Sequence, residues 1–351
     1  MKNRLIASLL VIVIVLATAG CITRRPIDPI DALGSVWPMP EGSNIATLGQ
    51  EYVSAVLYGY FFTVNHLHLQ QDAMVRGHVD LEYFWEIEQE GSTVRQILLD
   101  GSMRSAKEYT GLYRLGFALG ITETPQEAAA VEEQIAARLD ELSGDVNLFT
   151  QLYRLSPEQM REAARKLNIA SSYFRQAMDD ITFDEETARE LYDADPDAFD
   201  LVTVRHVLIG INEEMTETQV EVSGDFARAL LERVDYGEDI GSLAAQYSED
   251  PGSRFTDGEY IFRRDGRFAS EFEEWAFAAT PGDTGIVQTV HGYHIMQLMD
   301  RTTFEELDDA IIEQQVRAII FKENHQALYD LVDADGWVYD RRLLNMFISS
   351  I

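Results

Sequence analysis

VTVRHVLI, residues 202–209, is the stretch that decides the fold of this chain. β-Branched residues alternate with other side chains along it, which is typical of a strand with one buried face. His206 lies in the middle of the stretch. We therefore predict a half-buried β-strand that carries a histidine, and the sequence on either side shows what that strand belongs to.

Three helices and three more strands are predicted after it, in the order helix, helix, strand, helix, strand, strand. Amphipathic runs indicate the helices and alternating runs indicate the strands. The last two strands flank Val290-His291-Gly292, which is typical of a hairpin turn. The helices are expected at residues 226–234, 240–247 and 268–277, and the strands at 259–262, 285–290 and 293–299.

Five short motifs follow one another in order along these elements. Each is weak alone, but all five in order within one segment form a specific signal. The segment resembles the parvulin family of peptidyl-prolyl cis-trans isomerases, which implies an α+β fold built on a four-stranded antiparallel sheet with helices. The motifs are Arg205-His206-Val207-Leu208, Tyr247-Ser248-Glu249-Asp250, Gly258-Glu259-Tyr260, Phe268 with Phe272, and Thr289 with Gly292-Tyr293-His294-Ile295.

The resemblance also implies an active site. A ring of apolar side chains would hold the proline of a substrate, and a hydrogen-bonded floor would lie beneath the amide that rotates. No cofactor or metal is expected. The implied substrate-binding residues are Tyr260, Phe268 and Phe272, and the implied catalytic residues are His206, Asp250, Thr289 and His294.

Each of these residues also has an ordinary structural interpretation. Phe268 and Phe272 at i, i+4 are typical of a helix face in a core. Histidines on interior strands are more often buried core residues than catalysts, and Asp250-Pro251-Gly252 alone would be a common turn. We therefore expect moderate losses of activity on single substitution.

Two departures from the family pattern bear on turnover. Relatives often carry Gly-Gly-Asp-Leu-Gly where this chain has Asp257-Gly258-Glu259-Tyr260-Ile261. If Ile261 occupied a position of positive φ it would be strained, so this strand is expected to take a different path. The loop at residues 212–217 is acidic, which opposes the phosphoserine-proline preference of some parvulins.

The N-terminus is typical of an export signal. Lys2 and Arg4 precede an apolar run too short to span a membrane, and small residues lead to Cys21, the only cysteine. The pattern resembles a bacterial lipoprotein box, which implies cleavage after residue 20 and lipidation of Cys21. The alternative is an uncleaved membrane anchor. The Pro-containing residues 21–44 are expected to form a tether.

Helical patterns dominate residues 45–200. Tyr52, Val56, Tyr60 and Val64 recur at helical spacing, and Ser156-Pro157 is typical of a helix start. Residues 302–351 are also expected to be helical and to pack on this region. The parvulin-like residues 201–301 would then be an insertion in a mainly helical, chaperone-like domain, and the signal, the helices and the parvulin unit together resemble exported foldases of the PrsA and SurA kind.

The amino-acid composition limits which partners the chain can bind. The formal net charge is −32 with 46% hydrophobic residues, so a folded chain is expected and nucleic acid is excluded as a partner. His66 and His68 at i, i+2 point apart on a helix, so no metal site is expected there.

Two functions remain open. The first is a membrane-tethered, extracytoplasmic isomerase and foldase of bacterial type, lipid-anchored to a membrane, whose partners are unfolded or partly folded exported chains with X-Pro bonds. The second is a holdase chaperone without isomerase turnover. A third idea, a transporter's solute-binding lipoprotein, lacks the two α/β lobes it needs. Pairing into a homodimer stays open.

Overall fold

The computed structural model describes residues 42–75, 81–89, 92–211, 215–250 and 252–348. One unit comprises residues 182–319. A second unit comprises the described residues of 42–88, 92–181 and 320–348. The predicted signal, lipidation site and most of the predicted tether, together with residues 212–214 of the acidic loop, lie outside the described residues.

Helices make up most of the chain before residue 200, and strands and helices alternate after it. Up to residue 200 they are β1 Asn44–Leu48, β2 Glu51–Ser54, α1 Ala55–Val75, α2 Leu81–Glu86, β3 Glu88–Gln89, β4 Ser92–Thr93, α3 Val94–Ala118, α4 Pro125–Glu141, α5 Val146–Tyr153, α6 Pro157–Asp179 and α7 Glu185–Ala194. After it they are β5 Leu201–Gly210, α8 Glu217–Asp235, α9 Ile240–Tyr247, β6 Glu259–Phe262, α10 Ser270–Ala278, β7 Thr284–Thr289, β8 Gly292–Thr302, α11 Asp309–Asn324, α12 Gln326–Val332, β9 Val338–Tyr339 and α13 Arg341–Ile348.

The second unit is mainly helical, and its helix starts follow local rules. Ser156 caps α6 by accepting a hydrogen bond from the backbone of Gln159, and Pro157 occupies the first helical position, as predicted. The expectation of helix from Tyr52 is wrong, because Tyr52 lies in β2 of a hairpin. Gly49 has a φ of 60° in its turn, and the pairing of β1 with β2 overrides the helical spacing.

The C-terminal residues of this unit pack among its N-terminal helices. The ring of Phe347 meets that of Tyr58 edge-on at 4.9 Å between centroids, and Phe321 meets Phe174 at 4.7 Å. Strand β9 pairs with β1. Across the described ranges, no helix is both long and apolar enough to cross a membrane.

The first unit contains a four-stranded antiparallel sheet in the order β6-β5-β8-β7. This confirms the predicted α+β class with a four-stranded antiparallel sheet. The central strand β5 differs from the prediction, because both of its faces are covered. Val202 and Val204 join a core with α10, whereas Val207 and Ile209 join a core with α8 and α9. Helices on both sides of the sheet leave no open face for the middle of this strand.

Strand β6 is regular, and Ile261 does not occupy a position of positive φ. Ile261 pairs with Thr203 in the ladder between β5 and β6. The positive φ angles fall earlier, at Asp257 (57°) and Gly258 (71°). Aspartate tolerates this conformation better than a β-branched residue, so the turn is completed before β6 begins.

Gly258 tests this turn. A Cβ at Gly258 would lie 2.3 Å from the carbonyl oxygen of His206, whereas a Cβ at Gly237, also at positive φ (94°), would meet nothing within 4 Å. We expect Gly237→Ala to lower the free energy of unfolding by about 1 kcal/mol through backbone strain. Gly258→Ala should lower it by about 1–3 kcal/mol more, because of overpacking. Urea unfolding of the two variants measures the difference, and equal losses would contradict the close approach.

Candidate active site

Two adjacent strands place two histidines on one face of the sheet. His206 lies opposite Met296, and His294 lies opposite Leu208, so the histidines are diagonal neighbours across β5 and β8. Their Nδ1 atoms are 3.2 Å apart and their rings are stacked with 5.3 Å between centroids. Both side chains are buried. The alternation of β5 therefore delivers His206 to its partner without any loop.

The loop after α9 is fastened to β5 and brings in a carboxylate. The hydroxyl of Ser248 accepts a hydrogen bond from the amide of Leu208 at 3.1 Å. The amide of Glu249 donates to the carbonyl of Leu208 at 2.9 Å. With these two residues held, the next side chain, Asp250, reaches the imidazole of His206, with Oδ2 at 3.1 Å from Nε2.

The carboxylate of Asp250 joins three elements. Its Oδ2 accepts hydrogen bonds from the hydroxyl of Tyr260 at 2.9 Å and from the hydroxyl of Ser253, and its Oδ1 accepts from the amide of Gly252 at 3.2 Å. A Cβ at Gly252 would lie 2.2 Å from the Tyr260 hydroxyl oxygen, so a larger residue there would displace that hydroxyl from Asp250. Ser253 also lies 3.0 Å from His206 Nε2.

These contacts determine the protonation states of Asp250 and His294. Burial alone would raise the pKa of Asp250, but hydrogen bonds from His206 and Ser253, and the charge of His206, outweigh it and hold the pKa below its usual value. Burial lowers the pKa of the His294 imidazole to about 3, and the neighbouring His206 and His291 add to the shift. The site therefore pairs an anionic carboxylate with a neutral His294 at neutral pH.

One arrangement of protons satisfies every contact when His206 is neutral. An ionised Asp250 only accepts, so His206 carries its proton on Nε2 and accepts at Nδ1. His294 then donates from Nδ1, and its Nε2, 2.9 Å from the hydroxyl of Thr289, accepts from that hydroxyl. The Thr289 oxygen in turn accepts from the amide of His291 at 3.1 Å. Along this series of hydrogen bonds, from Thr289 through His294 and His206, every donor points toward Asp250.

Aromatic side chains form the other side of the site. The ring of Phe272 contacts both imidazoles edge-on, at 5.3 Å between centroids in each case. Phe268 stacks on Phe272 at 5.2 Å and meets Tyr260 edge-on at 4.9 Å. An apolar wall of three rings thus borders the polar network, and Tyr260 belongs to both.

Phe268 lies outside the helix predicted for it, because α10 begins at Ser270. Ala269 at the N-cap offers no side-chain cap. Instead the buried carboxylate of Glu273 accepts hydrogen bonds from the amides of Gly266 (3.2 Å) and Phe268 (3.3 Å). This contact curls the chain before α10 and leaves Phe268 stacked on Phe272.

The structure brings all seven predicted site residues within the described part of the chain into one cluster. It adds Ser253, which sequence reasoning missed. Ser253 is 1% exposed and touches both His206 and Asp250. The only signal for it was its place three residues after Asp250, where a helical turn returns a side chain to the same side; the amide of Arg254 indeed donates to the carbonyl of Asp250.

An aromatic wall beside a polar floor suits a substrate with an apolar ring next to a polar bond that changes shape. In line with this, residues 192–302 match the model of the PPIC-type PPIASE domain family. The chain therefore contains a PPIC-type peptidyl-prolyl cis-trans isomerase domain of the parvulin kind.

Relatives that share this domain are foldases and chaperones. The chain is 35% identical to "Foldase protein PrsA 3" of Bacillus anthracis over 42% of this chain and 55% of that protein. It is 35% identical to "Chaperone SurA" of Chromohalobacter salexigens over 34% of this chain and 27% of that protein. The chain thus spans about half or less of these curated relatives.

Among solved structures, PrsA from Bacillus anthracis aligns with 72% of this chain and 95% of its own, at 15% identity and a TM-score of 0.34.

His294 links the site to stability. Its pKa of about 3 in the folded chain lies below the ordinary value of 6.5. Below about pH 6.5 the unfolded chain takes up a proton that the folded chain refuses, so this group lowers the free energy of unfolding by about 1.4 kcal/mol per pH unit as pH falls toward 3. We expect His294→Gln to remove this dependence between pH 6 and pH 4, measured by urea unfolding.

The exposed His68 provides the matched control for this measurement. His68→Gln should leave the difference between pH 6 and pH 4 unchanged. If His294→Gln also left it unchanged, His294 would not be held neutral in the folded chain.

Proposed function

We propose that this chain is a peptidyl-prolyl cis-trans isomerase and foldase for exported proteins. One observation carries the proposal: Tyr260, Phe268 and Phe272 form an apolar wall directly against the network of His206, Asp250 and His294. The parvulin-type domain and the foldase names of the relatives support it.

The reaction needs no covalent chemistry. An X-Pro bond isomerises slowly because rotation breaks amide resonance, at a barrier of about 18–20 kcal/mol. At the midpoint the nitrogen becomes pyramidal and the carbonyl oxygen loses the negative charge that resonance gave it. A site therefore accelerates rotation if it holds the ring while making the planar, charge-separated amide less favourable than the twisted one.

The residues of this site divide into these two tasks. In the proposal the rings of Phe268 and Phe272 hold the proline, and the anionic Asp250 repels a carbonyl oxygen that still carries resonance charge. Because the planar amide is more negative at oxygen than the twisted one, the carboxylate raises the starting state more than the transition state. His206, Thr289 and His294 keep the carboxylate ionised and fixed.

The rest of the chain would bring clients to this domain. We propose a signal at 1–20, lipidation of Cys21, a tether at 21–44, a helical chaperone-like domain at 45–200, the isomerase domain at 201–301 and a C-terminal helical segment at 302–351. Clients would be unfolded exported chains with X-Pro bonds, on the outer side of a bacterial membrane.

A holdase without turnover is the second candidate, and a surface of the helical unit favours it. Phe117 and Leu119 at the end of α3 are 60% and 73% exposed. Exposed apolar side chains of this kind bind unfolded segments whether or not the isomerase domain turns over.

Isomer exchange separates the two candidates. We expect the intact chain to speed cis/trans relaxation of a short Ala-Pro peptide. His206→Ala should lower kcat/KM roughly tenfold, because it leaves Asp250 without its imidazole partner. Phe268→Ala should lower kcat/KM by a similar factor, because the proline ring loses a packing partner. NMR exchange spectroscopy between the cis and trans forms of the peptide measures kcat/KM for both variants.

Phe117→Ala, an exposed phenylalanine of the other unit, is the matched control and should retain full exchange. Relaxation equal to that in buffer alone would reject the isomerase. If the chain then still suppressed aggregation of an unfolded protein, the holdase would remain.

Tethering depends on Cys21. In a bacterial host, we expect the chain to incorporate labelled palmitate and to sediment with membranes. Cys21→Ser should abolish the label and release the chain into the soluble extracytoplasmic fraction, because no thiol remains to be acylated. A variant that kept the label would exclude Cys21 as the acylated residue. An unlabelled wild-type chain in the membrane fraction would favour the uncleaved anchor.

A further inference from the structure

The segment between β6 and α10 carries part of the aromatic wall without a helix or strand to support it. Residues 263–269 lie outside both elements, and Phe268 is near the end of this segment. Phe268 is half-buried, whereas its stacking partner Phe272 is 2% exposed. Of these two rings, Phe268 therefore has the larger surface for a bound proline, and its position depends on what holds an irregular segment in place.

The side chain of Glu273 holds this segment from the first turns of α10. Glu273 is 6% exposed, and its two carboxylate oxygens accept hydrogen bonds from two amides of the segment, Oε2 from Gly266 at 3.2 Å and Oε1 from Phe268 at 3.3 Å. Burying a carboxylate costs free energy unless donors replace the water that it loses. The two amides supply those donors, so the segment and the buried carboxylate stabilise each other.

This contact differs from an ordinary helix cap. In a capping box, a Glu side chain of the first turn accepts a hydrogen bond from the amide of the N-cap residue. The N-cap of α10 is Ala269, and the two amides that Glu273 binds lie one and three residues before it. Glu273 therefore orders the chain that leads into the helix rather than the helix itself.

The ring of Phe268 lies among three other aromatic rings. Its centroid is 4.4 Å from that of Phe262, 4.9 Å from that of Tyr260 and 5.2 Å from that of Phe272. With its amide bound by Glu273, the Phe268 backbone stays where the ring reaches all three. Without that hydrogen bond an irregular segment has many more backbone conformations, and most of them move the ring away from the wall.

We propose that Glu273 is a positioning residue for isomerisation, which keeps the Phe268 ring where it holds the proline of a client; this inference rests on the proposed isomerase function. In that function the Phe268 ring contacts the proline and not the amide that rotates, so its contribution is similar in the planar and the twisted state. Interactions of equal strength in both states change KM and leave kcat nearly unchanged. Glu273 therefore acts on proline binding rather than on the rotation step.

The test compares KM and kcat of the intact chain for cis/trans exchange of a short Ala-Pro peptide. Glu273→Gln keeps the size of the side chain but replaces one acceptor with an NH2 group that faces an amide donor. We expect KM to rise roughly three- to tenfold, the effect of one lost hydrogen bond, and kcat to change by less than about twofold. Glu273→Asp is one methylene shorter and reaches only one amide, so it should also raise KM, and it takes the place of the Gln variant if that variant does not fold.

Glu274→Gln is the matched control, because Glu274 is the exposed neighbour on the same helix; it should leave KM unchanged. A double-mutant cycle with Phe268→Ala shows how the effect reaches the site. Once the Phe268 ring is removed, Glu273→Gln should have no further effect on KM. A Glu273→Gln chain with the wild-type KM, or a double variant whose KM rises by the product of the two single factors, overturns the proposal.

Peptide binding distinguishes failure of this role from failure of the isomerase. Fluorescence anisotropy of the labelled Ala-Pro peptide gives Kd for the wild type, the two single variants and the double variant. If the wild type binds the peptide without exchange, the isomerase is wrong. Glu273 then still positions Phe268 for proline if Glu273→Gln raises Kd in the wild-type background and not in the Phe268→Ala chain. Equal Kd for wild type and Glu273→Gln overturns the role, and a wild type that neither exchanges nor binds the peptide overturns both.

Discussion

The partly buried carboxylate of Asp250 is the constraint on which the site depends. A partly buried anion is stable only if donors replace the water it has lost, and here His206, Tyr260 and Ser253 supply them. These donors come from β5, β6 and the loop between α9 and β6. One ion therefore fixes the relative positions of three segments, and an error in any of them would leave a charge unpaired.

The same constraint explains two glycines and a serine of the loop that carries Asp250. A Cβ at Gly252 would displace the Tyr260 hydroxyl that donates to the carboxylate, and a Cβ at Gly258 would clash with the backbone of His206, against which the loop returns. Ser248 holds the start of the loop to Leu208. Motif positions that look like turn residues in the sequence are thus parts of the support of one ion.

The sequence predicted the four strands because strand alternation is a local signal, and the family resemblance of its spaced motifs predicted the antiparallel sheet and the seven residues that cluster. It missed what depends on distant partners. Ser253 has no pattern of its own, and its role arises only when the loop closes on His206. Phe268 was placed in a helix by its spacing from Phe272, but Glu273 captures the amides that precede α10. Strand β2 was not predicted, because the spacing of Tyr52 from Val56 and Tyr60 is the same as in a helix.

The choice of histidine at two positions follows from the direction of the network rather than from proton transfer. Rotation about an amide moves no proton, and burial keeps His294 neutral with a pKa of about 3. An imidazole has a donor and an acceptor on opposite edges of one rigid ring, so two of them in series carry a hydrogen bond from Thr289 across the sheet to Asp250 without rotating. An amide side chain has its donor and acceptor on one flexible end. The two rigid rings therefore pass the hydrogen-bond direction from Thr289 to Asp250, which keeps the carboxylate anionic.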